Sequence, residues 1–206
     1  MAEHGWLGPI EWAAAFRPRP GEQVCGDRAV AVAVGESAAL FGVVDGLGHG
    51  AEAAAAASRG VEVLRGAPAE PIDVLVHRCH RALAATRGAA MTLARIDFAT
   101  SMLSWLGIGN VDADLVAKHP GGQQVRSSVR LDGGIVGYRL PETLRVQQTP
   151  IVPGDLLVIA SDGVGSDHLR DIDFAGKAEV IVEQILGTHA QDSDDALVLA
   201  ARHRGT

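Results

Sequence analysis

The sequence is poor in cysteine and has no excess of basic residues. Its two cysteines, Cys25 and Cys79, form no CxxC pair, which argues against a disulfide framework or a zinc knuckle. Lysine and arginine number 18 against 25 acidic residues, which gives a net charge of −7. Because this charge offers no basic field for a phosphate backbone, we expect no nucleic-acid partner. Unpaired thiols fit a reducing, cytoplasmic location.

Long hydrophobic runs are also missing. The longest run of small apolar residues, 53–57, is far shorter than the roughly 20 residues that cross a membrane. Residues 1–10 carry Glu3 and His4 where a signal peptide needs a basic start and an apolar core. The 206 residues are 47% hydrophobic, enough to bury one core. We therefore expect a soluble, single domain over residues 1–206, with little room for a sensor domain.

Hydrophobic patterning predicts many strands and helices grouped in two places. Strands are predicted at 11–15, 28–34, 38–44, 156–160 and 196–201, helices at 51–64, 72–83 and 174–186, an antiparallel meander at 91–98, 101–108 and 111–118, and hairpin turns around 123–131. Regular alternation of strand and helix is lacking, which argues against a parallel sheet. The pattern predicts an α+β layered domain.

Acidic residues stand where predicted strands begin or end. They are Asp27, Asp45, Asp162 and the pair Asp194-Asp195. Glycine follows two of them, as Gly46 and Gly163, and allows a sharp turn with close approach of a backbone carbonyl. Several carboxylates with a carbonyl, and without a Cys or His cluster, are an oxygen ligand set that Mg²⁺ or Mn²⁺ accepts. One Asp-Gly is usually only a turn, but four acidic strand ends together indicate a metal site.

At these residues the sequence resembles the SpoIIE-type branch of the protein phosphatase 2C superfamily. The matching segments are Gly26-Asp27, DGLGHG at 45–50, Ser161-Asp162-Gly163 and Asp194-Asp195, and they occur in the family's order over nearly the whole chain. The DGLGHG segment is the most specific of them. The resemblance implies a four-layer α-β-β-α sandwich of two antiparallel β-sheets flanked by helices, with the acidic residues at one end.

The resemblance also implies a two-metal phosphatase site using Mn²⁺ or Mg²⁺. Asp45 would lie between the two ions, with the Gly46 carbonyl as a further ligand. Asp162 and Asp194 would complete one site, and Asp27 would lie near the second ion. The implied reaction is hydrolysis of phosphoserine or phosphothreonine by metal-activated water, without a covalent phosphoenzyme, and with Asp45 and Asp162 as catalytic residues. No role is assigned to His49.

One motif departs from the family. Its last segment usually reads Asp-Asp-x-Thr or Ser, whereas this sequence has Leu197 at the fourth position. The missing hydroxyl removes a hydrogen bond of the kind that orients ligating carboxylates. The departure leaves open whether Asp194 or Asp195 is the ligand. It also supports one alternative, a metal-free binding or regulatory module of the same fold.

The length of the chain resembles that of the standalone phosphatases of this family that act on the stressosome, since most members carry an added regulatory region. That likeness implies a phosphorylated STAS-domain protein as partner and substrate, in bacterial stress signalling. Residues 109–118 and 133–148 are candidates for the surface that binds this partner.

Two other functional readings of the sequence are weaker. Residues 46–51 match GxGxxA of dinucleotide-binding folds, but Asp45 would face the pyrophosphate and no βαβ unit follows. Asp112 and Asp114 resemble the DxD of aspartyl-phosphate enzymes, but they follow Gly109-Asn110, which favours a solvated hairpin.

Six further residues could bind ligands, but each has a simpler explanation. His77 and His80 have metal-ligand spacing on a helix, but no third ligand is identifiable, so a solvated helix face is favoured. Arg28 beside Asp27 could contact phosphate or form an ion pair. The tryptophans, of which Trp105 is one, are expected in core or edge packing.

Overall fold

The computed structural model describes residues 2–119 and 122–205. The first half of this part contains β1 (Ala2–Leu7), β2 (Ile10–Arg17), β3 (Asp27–Val34), β4 (Ala38–Gly46), α1 (Ala51–Gly66), α2 (Ile72–Leu83) and β5 (Ala89–Asp97). The second half contains β6 (Met102–Ile108), β7 (Asp112–His119), β8 (Gly122–Ser128), β9 (Leu131–Asp132), β10 (Gln147–Pro150), β11 (Leu156–Ala160), α3 (Ala178–His189) and β12 (Ala196–His203).

These strands form two sheets that stack face to face. Sheet A has the order β1-β2-β12-β11-β7-β8, and sheet B has the order β10-β6-β5-β4-β3, with β9 paired to β6. The strand pairs are antiparallel except the short pairing of β6 with β9. Helices α1 and α2 pack on sheet B and α3 packs on sheet A. The predicted α+β, four-layer α-β-β-α sandwich is confirmed.

Alternating side chains explain why the central strands are almost entirely apolar. In β4, Phe41 and Val43 point into the core between the sheets, while Leu40 and Val44 point toward α1 and α2. Successive side chains of a strand face opposite sides, so a strand covered on both sides needs apolar residues throughout. β12 is covered in the same way, and all eight of its residues are buried.

Small residues in α1 let the helix lie close to sheet B. A Cβ at Gly60 would lie 3.2 Å from Cγ1 of Val44, and the buried face of α1 also contains Ala53, Ala56 and Ala57. Alanine combines high helix propensity with a short side chain. The alanine-rich sequence therefore specifies both the helix and its close packing on β4, whose end carries Asp45.

The predicted meander after β5 is wrong, because β7 leaves the sheet of β5 and β6. β5 and β6 pair in sheet B, but β7 pairs with β11 and β8 in sheet A. Asp112 and Asp114 thus lie in an internal strand, which pairs with β11 on one side and forms a hairpin with β8 on the other. Asp112 is exposed and Asp114 is half-buried. The apolar pattern of a strand shows which residues are buried but not which sheet covers them. Strand β1 was not predicted, and α3 begins at Ala178 rather than near 174.

The surroundings of the tryptophans, the two helix histidines and Arg28 decide between the roles that the sequence left open. Trp105 is fully buried, whereas Trp6 on edge strand β1 is 61% exposed. His77 is exposed and His80 accepts a hydrogen bond from the Gly137 amide at 3.0 Å. Arg28 donates to the backbone carbonyls of Cys25 and Asp27, so it fixes the start of β3, and it forms no ion pair with any residue that the structure describes. No helix in the described part of the chain is long and apolar enough to cross a membrane.

Candidate metal centre

Asp27 and Asp45 lie opposite each other on adjacent strands of sheet B. Asp27 is the first residue of β3, and its register partner in β4 is Asp45. Directly opposed residues of an antiparallel pair have Cβ atoms about 4.5–5.5 Å apart, so two like charges there repel each other. Asp27 is only 2% exposed. This part of the candidate site is fixed by the β3–β4 ladder alone.

Asp162 and Asp194 come from sheet A, at one end of the neighbouring strands β11 and β12. Asp162 follows the last pairs of the β11 ladder, and Asp194 precedes β12, whose Val198 pairs with Ala160. The charges of Asp162 and Asp194 both act on the carboxyl group of Asp45. The sandwich therefore brings together carboxylates from four separate segments, as the sequence predicted for Asp27, Asp45, Asp162 and Asp194.

Burial and mutual repulsion raise the pKa values of these carboxyl groups. Burial, followed by the charges of Asp27, Asp162 and Asp194, raises the pKa of Asp45 to about 9. Burial also raises the pKa of Asp27 to about 7, against a hydrogen bond from Ser161 that lowers it. The pKa of Asp162 is raised by burial and by Asp194. Such a cluster favours binding of positive charge, either protons or metal cations.

Ser161 links the two sheets beside the cluster. Its Oγ donates to Oδ2 of Asp27 at 2.7 Å and accepts from the amide of Leu197 at 2.9 Å. The Leu197 side chain is 1% exposed and packs in the core between the sheets. A buried hydroxyl therefore still orients an acidic residue of the site, although it comes from the Ser-Asp-Gly motif and not from position 197. The departure at Leu197 adds core packing.

The contacts of Asp195 separate its role from that of Asp194. Oδ1 of Asp195 accepts from the Arg19 amide and Oδ2 from the Gly26 amide, both at 2.8 Å, and the residue is 2% exposed. Both oxygens of Asp195 are therefore used to hold the segment that leads to β3. Among residues 2–119 and 122–205, Asp194 accepts only from the Asp195 amide, and it acts electrostatically on Asp45 and Asp162. This arrangement favours Asp194 over Asp195 as the ligand.

Glycines in three of the motifs are required because the motif segments touch each other. A Cβ at Gly46 would lie 2.0 Å from the Ala53 carbonyl oxygen, and one at Gly163 would lie 1.9 Å from that of Asp195. A Cβ at Gly26 would lie 2.8 Å from Oδ2 of Asp195. The sequence suggested that Gly46 and Gly163 let a backbone carbonyl approach a ligand. The structure shows that these two glycines admit neighbouring backbone and that Gly26 admits the Asp195 side chain, which brings the acidic residues together.

The rim of the cluster carries one histidine–glutamate hydrogen bond and one ion pair. Nδ1 of His49 lies 2.6 Å from Oε1 of Glu22, and Arg87 pairs with Glu52 in the first turn of α1. The Arg87 guanidinium also lies against Gly48, where a Cβ would be 2.9 Å from Nη1. The DGLGHG loop is thus flanked by polar pairs on both sides. His49, to which the sequence assigned no role, is hydrogen-bonded to Glu22.

The donor chemistry of the cluster fits a hard divalent cation. Asp27, Asp45, Asp162 and Asp194 offer only oxygen atoms, which Mg²⁺ and Mn²⁺ prefer. As the side chains stand, no group of three His, Cys, Asp or Glu residues in the described part of the chain is close enough to hold a metal ion. The raised carboxyl pKa values show an excess of negative charge that a cation would neutralise.

Two polar contacts at the site were missed from the sequence. Nδ2 of Asn110 donates to Oδ2 of Asp162 at 2.5 Å, and Glu22 holds His49. Both contacts join residues that are far apart in the chain, and neither Asn110 nor Glu22 belongs to one of the motifs. A glycine before Asn110 marked a turn, but only the stacking of the sheets places that turn beside β11.

Comparison with known proteins identifies the family of the chain. The family model described as stage II sporulation protein E (SpoIIE) matches residues 35–204, more than three quarters of the chain. The chain belongs to the SpoIIE family. The matched region contains the motifs at 45–50, 161–163 and 194–195, and the resemblance seen in the sequence is confirmed.

Similar proteins are phosphatases. Phosphoserine phosphatase RsbX of Bacillus subtilis (strain 168) is 22% identical over 152 residues, covering 74% of this chain and 73% of that protein. The crystal structure of RsbX in complex with magnesium has a TM-score of 0.80 at 20% identity and covers 98% of this chain and 99% of that one. The enzyme class predicted from the motifs, a serine/threonine protein phosphatase, is confirmed by these relatives.

A second solved chain is more similar still. It comes from work on the bacterial stressosome as a modular system adapted to control secondary messenger signalling. It has a TM-score of 0.84 and 29% identity, and covers 94% of this chain and 99% of that one.

The antiparallel sandwich excludes the dinucleotide-binding fold considered for residues 46–51. In that fold a helix connects two parallel strands, whereas α1 and α2 connect β4 and β5, which are antiparallel.

Proposed function

We propose that this SpoIIE-family domain is a metal-dependent phosphoserine/phosphothreonine protein phosphatase whose substrate is a STAS-domain protein of a stressosome-like complex. The main support for the proposal is the acidic cluster itself, in which carboxylates from both sheets act on one another. Asp27 and Asp45 come from sheet B, and Asp162 and Asp194 come from sheet A. Asp27 is buried and Asp45 and Asp194 are half-buried, and carboxylates brought together in this way are costly to fold unless they bind cations.

In this proposal Asp45, Asp162, Asp194 and the Gly46 carbonyl would hold Mn²⁺ or Mg²⁺, and Asp27 would lie at a second ion. Bound ions supply Lewis-acid activation of a water molecule and neutralise phosphate charge. The protein's own residues fix the geometry. Ser161 orients Asp27, and Asp195 ties the segment before β3 to the start of β12. Carboxylates alone repel a phosphate dianion, so substrate binding also depends on the ions.

The proposed partner is supported by the relatives and by one exposed surface. RsbX is a phosphoserine phosphatase, and the most similar solved chain named above belongs to work on the stressosome. Val136 forms a β-bridge with Ala89, which is the register partner of Gly46, so the segment around 135–139 lies beside the DGLGHG loop. In this segment Tyr138 is 80% exposed. An exposed tyrosine beside an active site is a typical anchor for a protein partner. β7 uses most of residues 109–118 inside sheet A, so the 133–148 region is the better candidate for docking.

The experiment is hydrolysis of a phosphoserine peptide and of p-nitrophenyl phosphate with Mn²⁺, with Mg²⁺ and with chelator. Asp45→Asn and Asp162→Asn are compared with Asp171→Asn. The control position is exposed and has a φ of 59°, which asparagine tolerates. We expect metal-dependent turnover in the wild type and in the control, none in chelator, and a loss of at least 100-fold in both site variants.

Two results would contradict the proposal. Turnover that persists in chelator would exclude the metal mechanism. Absence of turnover together with absence of Mn²⁺ binding by calorimetry would favour the metal-free binding module. The STAS-domain substrate is tested separately, by release of phosphate from a phosphorylated STAS domain. Equal rates on an unrelated phosphoprotein would contradict that part.

A further inference from the structure

Asn110 is a neutral side chain next to an acidic cluster. It lies in the turn between β6 and β7, and its Nδ2 donates to Oδ2 of Asp162 at 2.5 Å. The neighbouring acidic residues Asp112 and Asp194 both act on Asp162 and raise its pKa. An acid at position 110 would add to this repulsion, whereas the amide of Asn110 donates a hydrogen bond without adding charge.

The turn that carries Asn110 is fixed on both sides although its own side chain is exposed. Before it, Gly109 has a φ of 92° and its amide donates to the Asp132 carbonyl at 3.0 Å. After it, the fully buried Val111 has its carbonyl hydrogen-bonded by Oγ1 of Thr92 at 2.6 Å. The amide of Asn110 is therefore presented to Asp162 by a rigid turn and not by a flexible loop.

We propose that Asn110 is a positioning residue for the metal site. By donating to Oδ2 of Asp162, it holds the carboxylate in one orientation for binding a cation. The proposal rests on the proposed function, because it assigns Asp162 as a metal ligand. Hydrogen bonds of this kind behind a ligating carboxylate change metal affinity by 10- to 100-fold when they are removed.

The test is Mn²⁺ binding by calorimetry to wild type, Asn110→Ala and Thr100→Ala, together with their melting temperatures in chelator. Thr100 is a matched control, because it also donates to an aspartate in a turn, from its Oγ1 to Oδ1 of Asp97 at 2.8 Å, at the other end of β6. We expect Asn110→Ala to raise the dissociation constant for Mn²⁺ about 10- to 100-fold. Its melting temperature without metal should stay near that of the control. At saturating Mn²⁺ its kcat should return to near the wild-type value.

A second readout is independent of activity. Asn110 is the only asparagine in the sequence, so ¹⁵N-asparagine labelling gives a single side-chain amide in the NMR spectrum. We expect its Nδ2 proton to shift on addition of Mg²⁺, and to lose its hydrogen-bonded position in Asp162→Ala.

The outcomes separate the two levels of the proposal. If wild type binds no Mn²⁺ or Mg²⁺, the proposed function fails and the role of Asn110 fails with it. If wild type binds Mn²⁺ and Asn110→Ala binds it equally well, only the positioning role is overturned. A fall in melting temperature with unchanged Mn²⁺ affinity would likewise show that Asn110 serves stability alone.

Discussion

Replacing Asp45 with asparagine should stabilise the metal-free protein while removing its response to metal. The pKa of Asp45 is raised from the ordinary value of 3.8 to about 9 in the folded chain. A carboxyl whose folded pKa is raised contributes most to stability below pH 3.8, and the contribution is lost as the pH rises toward 9. Asparagine does not ionise, so the stability of the variant does not fall in this way as the pH rises. The gain should therefore be large at pH 8 and should vanish toward pH 4.

The size of this stabilisation follows from the linkage between protonation and folding. One pKa unit between folded and unfolded chains is about 1.36 kcal/mol. Relaxation and water entry reduce the cost of buried charge, so we expect a gain of about 2 kcal/mol at pH 8. For a chain of this size that is a rise in melting temperature of roughly 4–8 °C. The exposed control Asp171→Asn makes the same aspartate-to-asparagine change, but it should change the melting temperature little.

The assay is calorimetric melting in chelator from pH 5 to 9, repeated with saturating Mn²⁺. Wild type should gain stability from Mn²⁺ by mass action, whereas Asp45→Asn should gain little. The reasoning is refuted if Asp45→Asn melts at or below the wild-type temperature in chelator at pH 8. It is also refuted if Mn²⁺ stabilises both proteins equally.

Three further predictions concern neighbouring residues. Asp195→Ala should lower the free energy of unfolding by about 2–4 kcal/mol, measured by denaturant titration, because it releases two backbone amides. Asp194→Ala should instead not lower the free energy of unfolding in chelator, because it removes a charge that repels Asp45 and Asp162, and it should abolish Mn²⁺ binding. Leu197→Thr should cost about 1–3 kcal/mol in the same titration without raising activity, since its hydroxyl would enter the core. Tyr138→Ala should raise KM at least 5-fold for a phosphorylated STAS domain but not for p-nitrophenyl phosphate; equal effects on both would contradict the docking surface.

Local patterns were enough to predict the positions of the central strands and of the first two helices. β4 is apolar at nearly every position because both of its faces are covered, and α1 is built from alanine. Edge strand β1 escaped prediction, because its exposed Glu3, His4 and Trp6 give no apolar alternation. Likewise, β7 has a strand pattern, but pairing with β11 depends on how the sheets stack.

The sequence by itself determined which acidic residues stand at strand ends, and so which side chains can form the metal site. Strand ends are set by local turn chemistry, which Gly46 and Gly163 make visible in the sequence. Only the tertiary structure decided how these residues divide their roles. Asp195 accepts hydrogen bonds from the backbone amides of Arg19 and Gly26, which lie 169 or more positions away in the chain. Ser161 provides the orienting hydroxyl group that is absent at position 197. Such contacts join segments that meet only when the two sheets stack, and no local pattern encodes them.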